Sequence, residues 1–125
     1  MVDKEGKRII CTNFCNGKKH DFRLFKESKV RFKAATVTLV DSGYQGIQKL
    51  HANSKLPKKK TKKYPLTKAD KIENQKISSD RVLNENVIGM LKRFKIIADR
   101  YRNRRKRFGL RFNLIAGLYN YELTI

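Results

Sequence analysis

The sequence predicts an α/β fold: a mixed sheet drawn from the first part of the chain, with helices gathered towards the C-terminus. Three observations carry this. The run Thr36-Val37-Thr38-Leu39-Val40 is nearly continuous in β-branched and apolar residues, as buried central strands are. Apolar residues recur at helical spacing over 83–98 and again over 108–123. Strand-like runs come first and helix-like periodicity last. The 125 residues, 39% of them hydrophobic, suit one small core and no second domain, and they are not composed like a disordered segment.

In chain order, Val2 and the run 8–14 read as a hairpin joined by Asp3-Lys4-Glu5-Gly6, with Asn16-Gly17 ending the second strand. So short a first strand makes a poor edge, as if the sheet lacked its N-terminal edge. Residues 21–28 read as a short helix with Asp21 as N-cap. The central strand 36–40 stops at Asp41, Ser42-Gly43 makes a sharp exit, and 44–50 reads as a helix beside it. Pro57 disfavours helix in the basic segment 56–63. Thr67 with Asp70 resembles a capping box, which predicts a polar helix over 68–77. Ser78-Ser79-Asp80 offers a new N-cap, and the next helix places Leu83, Val87, Met90, Leu91, Phe94 and Ala98 on a core stripe. The last helix, 108–123, carries Leu110, Leu114, Leu118 and Tyr121 on one face and Phe108, Phe112, Ile115 and Tyr119 on another, so it is expected to be largely buried.

Basic residues number 31 against 11 acidic ones, a formal net charge of +20. Such a chain repels itself at low salt, and a phosphate-rich partner is the simplest reason to tolerate it. The charge is also clustered. Residues 55–76 hold nine Lys against Asp70 and Glu73, and residues 92–111 hold ten Lys or Arg against Asp99. Lys58, Lys59, Lys60, Lys62, Lys63, Lys92, Arg93, Arg100, Arg102, Arg104, Arg105 and Arg107 are the expected phosphate contacts, with Tyr64, Tyr101 and Phe108 placed to stack on bases. No apolar run approaches the roughly 20 residues of a membrane span, and the start lacks the pattern of a secretion signal. Cys11 and Cys15 then read as reduced, buried small apolar residues; His20 and His51 add no recognised zinc spacing.

Two acids stand out. Asp41 directly follows the apolar strand, at the edge where ligand sites of open α/β sheets gather, and Gly43 and Gly46 keep bulk away from it. The alternative is an Asp that only starts a turn or caps the next helix. Glu85 lies off the core stripe, sharing a face with Arg81, Val82, Gly89 and Lys92. A helical Gly costs about 1 kcal/mol relative to Ala, so Gly89 is expected to make room for a neighbour or a ligand. The alternative is a solvated Glu85 paired with Arg81. Together the two carboxylates suit a hard divalent cation, which binds through one or two carboxylates and keeps sites for water and phosphate.

The segments HDFRLFKESK (20–29), VDSGYQGIQKLH (40–51), RVLNENVIGMLKRFKII (81–97) and RYRNRRKRFGLRFNLIAGLYNYEL (100–123) resemble, in family order, the C-terminal part of DDE transposases of the insertion sequence five family. The resemblance implies an RNase H-like fold truncated before its first central strand, Mg²⁺ or Mn²⁺ as cofactor, and mobile-element DNA ends as substrate. It makes Asp41 and Glu85 the second and third catalytic, metal-binding acids. The first acid has no counterpart, since Asp3 and Glu5 sit in a turn and Asp21 falls in the family's His-Asp position. The expectation is a transposase fragment in the bacterial cytoplasm, associated with the nucleoid. It would bind DNA but be inactive or nearly so alone, and would pair with a second copy or with an upstream-frame transposase part. The alternative from another class is a non-catalytic basic nucleic-acid-binding protein or a regulatory remnant of a transposase.

Overall fold

The computed structural model describes residues 1–15, 17–98 and 107–125. Its elements are α1 (Asp21–Ser28), β1 (Thr38–Leu39), a 3-10 turn (Ile47–Lys49), β2 (Ser54–Lys55), α2 (Lys68–Lys92), α3 (Lys95–Ala98) and α4 (Phe108–Glu122). The chain is therefore mixed α/β, with more helix and less sheet than expected. It divides into two compact units, one made of Met1–Phe14 and Leu83–Ile125, the other of Cys15–Val82.

The first unit is built on α4. Its core cluster is Val87, Leu91, Ile115 and Tyr119, with Val2, Ile9, Phe94, Ile97 and Phe112 packed against it. Val87 and Leu91 are the part of the expected stripe that is fully buried; Met90 is 46% exposed, because it lies a quarter-turn off that line. The N-terminal hairpin shrinks to a single antiparallel bridge, Val2 to Ile9, with Gly6 N–H donating to Asp3 Oδ2 in the turn. What Ile9 lacks in a ladder, α4 supplies. Asn120 accepts from Ile9 N–H through Oδ1 and donates to Ile9 O through Nδ2, both at 2.8 Å. The Tyr119 hydroxyl donates to Lys7 O at 3.1 Å. Phe14 packs edge-on against Phe108 and Phe112, and a Cβ at Gly109 would lie 3.3 Å from the Phe14 ring, so glycine permits that approach. Cys11 is half-buried and Cys15 exposed, both free thiols, so neither is the buried residue expected.

The second unit carries the parallel pair. Thr38 stands opposite Ser54 and Leu39 opposite Lys55. Thr38 N–H donates to Asn53 O and Val40 N–H to Lys55 O, and the Thr38 and Ser54 hydroxyls meet at 2.7 Å. Ser54 is buried and donates on to His51 O, so its polar group is satisfied. The expected five-residue central strand is thus a two-residue one with a single partner among the described residues, and Val37 is half exposed. An apolar run reaches central-strand burial only when neighbours flank both edges. The expected helix over 44–50 is only the 3-10 turn, entered through Gly46 at φ 88°, a left-handed geometry that glycine adopts freely. Phe22, Phe25, Phe32, Tyr44 and His51 form an aromatic cluster between α1 and this turn.

Helix α1 has the expected bounds but a different cap. His20, not Asp21, is the N-cap, its Nδ1 accepting from Phe22 N–H at 3.2 Å; Asp21 is the first helical residue, where its charge suits the dipole. The capping box at Thr67 is present in both directions: Asp70 N–H donates to Thr67 Oγ1 and Thr67 N–H to Asp70 Oδ2, each at 3.1 Å. The helix it starts does not end at Ile77 but runs through Ser78-Ser79-Asp80. Ser and Asp favour caps, yet inside a running helix each costs only about 0.5 kcal/mol, whereas a second helix needs a second nucleus.

Lys58 Nζ pairs with Asp70 at 2.8 Å, and with the two Thr67 contacts this holds the Asp70 carboxyl down to about 2. A lowered carboxyl stabilises the fold above its ordinary range and loses that contribution as pH falls towards the lowered value. Helix content at the α2 N-terminus is therefore expected to fall between about pH 4 and 2. Asp70→Asn should remove that transition, as circular dichroism across the range would show.

Candidate functional site

Asp41 lies two residues beyond β1, after Val40, in the second unit, with its side chain 56% exposed. Three donors surround the carboxylate. Gly43 N–H donates to Oδ1 at 3.3 Å, the Ser42 hydroxyl donates to the same oxygen at 3.1 Å, and Arg81 Nη2 stands 3.6 Å from Oδ2. The Gly43 bond above all, then Ser42 and the Arg81 charge, hold the carboxyl below its usual range, so it is ionised at neutral pH. The turn reading of Asp41 is realised in the same geometry, since Tyr44 N–H donates to Asp41 O at 3.0 Å. An exposed, ionised oxygen donor on a turn can also meet a cation.

The glycines serve differently from expectation. A Cβ at Gly43 would lie 3.2 Å from His20 Cε1, so Gly43 makes room for the His20 ring and frees its own N–H for Asp41. Gly46 serves the left-handed entry to the 3-10 turn and has open space around it. Tyr44 is part of the same neighbourhood: burial, with the negative charges of Asp21 and Asp41, pushes its phenol up.

Glu85 is exposed on α2 and belongs to the first unit. It lies one helical turn after Arg81, the residue whose guanidinium faces Asp41. The alternative of Glu85 paired with Arg81 is not realised, since the Arg81 guanidinium faces Asp41, and among the described residues no hydrogen bond or ion pair engages the Glu85 carboxylate. Gly89 opens onto free space rather than a neighbour. Among the described residues no group of three His, Cys, Asp or Glu is gathered as a metal site. The Arg81–Asp41 pair spans 40 residues of sequence and carries no short-range signal; the His20–Gly43 contact had only the His-Asp dipeptide to announce it.

The basic residues divide into three groups. Lys59, Lys60, Lys62, Lys63, Lys92 and Arg107 are exposed, as is Tyr64 at 77%. Lys58 and Arg93 are engaged in pairs with Asp70 and Glu122, and Asn74 brackets the Lys58 backbone with two hydrogen bonds, which ties the start of the basic run to α2. Arg100, Tyr101, Arg102, Arg104 and Arg105 lie outside the described residues. Phe108 is not free to stack on a base, because it is packed in the Phe14–Phe112 ring cluster. Among the described residues no helix is long and apolar enough to cross a membrane.

A family model described as DDE superfamily endonuclease matches residues 1–120. The chain is 46% identical, over all 125 residues, to a protein of Microchaete diplosiphon named as the probable transposase for insertion sequence element IS702. It spans 45% of that relative's length. No solved structure matches the chain.

Proposed function

Because the chain belongs to the DDE superfamily endonucleases, we propose that it is part of an RNase H-like transposase catalytic domain that binds the DNA ends of a mobile element. In this reading Asp41 and Glu85 hold Mg²⁺ or Mn²⁺. What supports it is the family match over residues 1–120 together with Asp41, an exposed, ionised carboxylate just after β1 that faces the Arg81 guanidinium.

The donor set fits a hard cation. Both groups offer carboxylate oxygens, and Asp41 keeps acceptor capacity beyond its two hydrogen bonds. A bound ion would stabilise charge on a phosphoryl oxygen and lower the pKa of water. The chain's own residues do the rest: Gly43 and Ser42 keep Asp41 ionised and oriented, Arg81 balances its charge, and Lys92, Arg107 and the lysines 59–63 neutralise phosphates. Two acids leave a divalent ion with few protein ligands, so the chain alone is expected to bind DNA without cutting it.

Competition binding separates this reading from a non-catalytic basic nucleic-acid binder. The purified chain is expected to retain an element-end duplex against excess RNA of equal length. Equal displacement by RNA would favour the non-catalytic binder.

A further inference from the structure

The basic segment between β2 and α2 is tied down at several points. Asn74 on α2 brackets the Lys58 backbone, accepting from Lys58 N–H at 2.8 Å and donating to Lys58 O at 3.0 Å. Three residues on, a turn closes on itself. Thr61 N–H and the Thr61 hydroxyl donate to Tyr64 O at 3.3 and 3.4 Å, and Tyr64 N–H donates to Thr61 Oγ1 at 3.1 Å. Pro65 restricts the Tyr64 backbone to extended geometry, and the Thr67–Asp70 capping box follows. All three bonds of the turn use the Tyr64 backbone. Its side chain is 77% exposed, with no other ring or cation over it among the described residues. Lys59, Lys60, Lys62 and Lys63 are exposed on the same short loop.

We infer that this loop, residues 58–64, takes an unpaired nucleotide of the bound DNA, with its base stacked on the Tyr64 ring and the adjoining phosphates met by the lysines. The chemistry selects the occupant. A single exposed ring is ordinary on a protein surface, but here four ammonium groups over residues 59–63 require that whatever covers it be anionic. A nucleic-acid strand supplies both parts at once, a phosphate at every link and a π-face on every base. Paired bases inside a duplex are already stacked and offer only their edges in the grooves, so the ring needs a base that is unpaired or turned out. The Asn74 bracket and the Thr61 turn order the loop beforehand, which reduces the cost of that contact. The inference deepens the DNA-binding reading above; it rests on that reading but not on the metal.

The test uses the full chain and two fluorescent probes, a blunt duplex and the same duplex extended by a short single-stranded tail carrying 2-aminopurine. The tailed probe is expected to bind more tightly than the blunt one, and its 2-aminopurine to be quenched on binding, as stacking does. Tyr64→Ala is expected to weaken binding of the tailed probe about 5–150-fold, the range for loss of one base–aromatic stack, and to abolish the quenching. Binding of the blunt duplex and the salt slope should stay unchanged, since no charge is removed. Tyr64→Phe keeps the ring and should retain both tailed binding and quenching. Neither variant removes a bond of the turn, because those bonds are made by the Tyr64 backbone. Lys62→Ala, in contrast, should weaken both probes and lower the salt slope by about 1. Undiminished affinity of Tyr64→Ala for the tailed probe, no quenching with the unsubstituted chain, or a loss in Tyr64→Phe equal to that in Tyr64→Ala would each overturn the inference while leaving duplex binding, and with it the wider reading, in place. Failure to bind either probe would overturn both.

Discussion

Affinity for duplex DNA is expected to fall about 10³–10⁵-fold between roughly 50 and 200 mM salt, the loss that accompanies contact with about 6–10 phosphates. The expectation rests on counterion release, which depends on how many cations reach phosphate and not on net charge alone. Exposure and pairing separate the candidates. Lys59, Lys60, Lys62 and Lys63 are exposed, whereas Lys58 is engaged with Asp70. Replacing one of the four by Ala should lower the slope of log affinity against log salt by about 1. Lys58→Ala should change it less, because part of that charge is already neutralised. Fluorescence anisotropy across a salt series measures both, and a flat response would remove nucleic acid as the partner.

The second large effect concerns the acids. Consider a chimaera in which this chain replaces the matched 45% of its transposase relative. Asp41→Asn or Glu85→Gln is expected to slow DNA strand cleavage by about 10³-fold, the several kcal/mol that a catalytic metal ion supplies. Asn at position 41 still offers an oxygen to Gly43 N–H and Ser42, so the turn should survive and the loss reports charge. Asp3→Asn is the control. Asp3 also accepts a backbone N–H, from Gly6 at 2.7 Å, but in a hairpin turn with no assigned role in the chemistry. Cleavage assays on labelled element ends would compare the three. Unchanged cleavage by the Asp41 and Glu85 variants would assign those carboxylates a structural role only.

What was legible in the sequence follows from the range of the physics involved. The bounds of α1, the Thr67–Asp70 box and α4 were readable because caps and periodicity act within a few residues. The run 36–40 has strand chemistry, but its length as a strand depends on neighbours that pattern does not supply, and only Thr38–Leu39 pair. The break expected at Ser78-Ser79-Asp80 failed because a helix already running tolerates residues that a free chain uses as caps. Two apolar faces on α4 were visible, while which of them this chain covers was not. Of the candidate site, Asp41 and Glu85 were marked by their positions after a strand and beside a glycine. Arg81 facing Asp41 is a tertiary contact and left no trace in local spacing.

The claim on which the functional reading stands is that Asp41 and Glu85 hold one divalent ion. Titrating the isotopically labelled chain with Mn²⁺ while following its amide resonances tests it directly. Ser42 and Gly43 are expected to broaden at the same Mn²⁺ concentration as Glu85 and Asn86, and Asp41→Asn to abolish both sets together. Broadening near Glu85 that persists unchanged in the Asp41→Asn chain would contradict it.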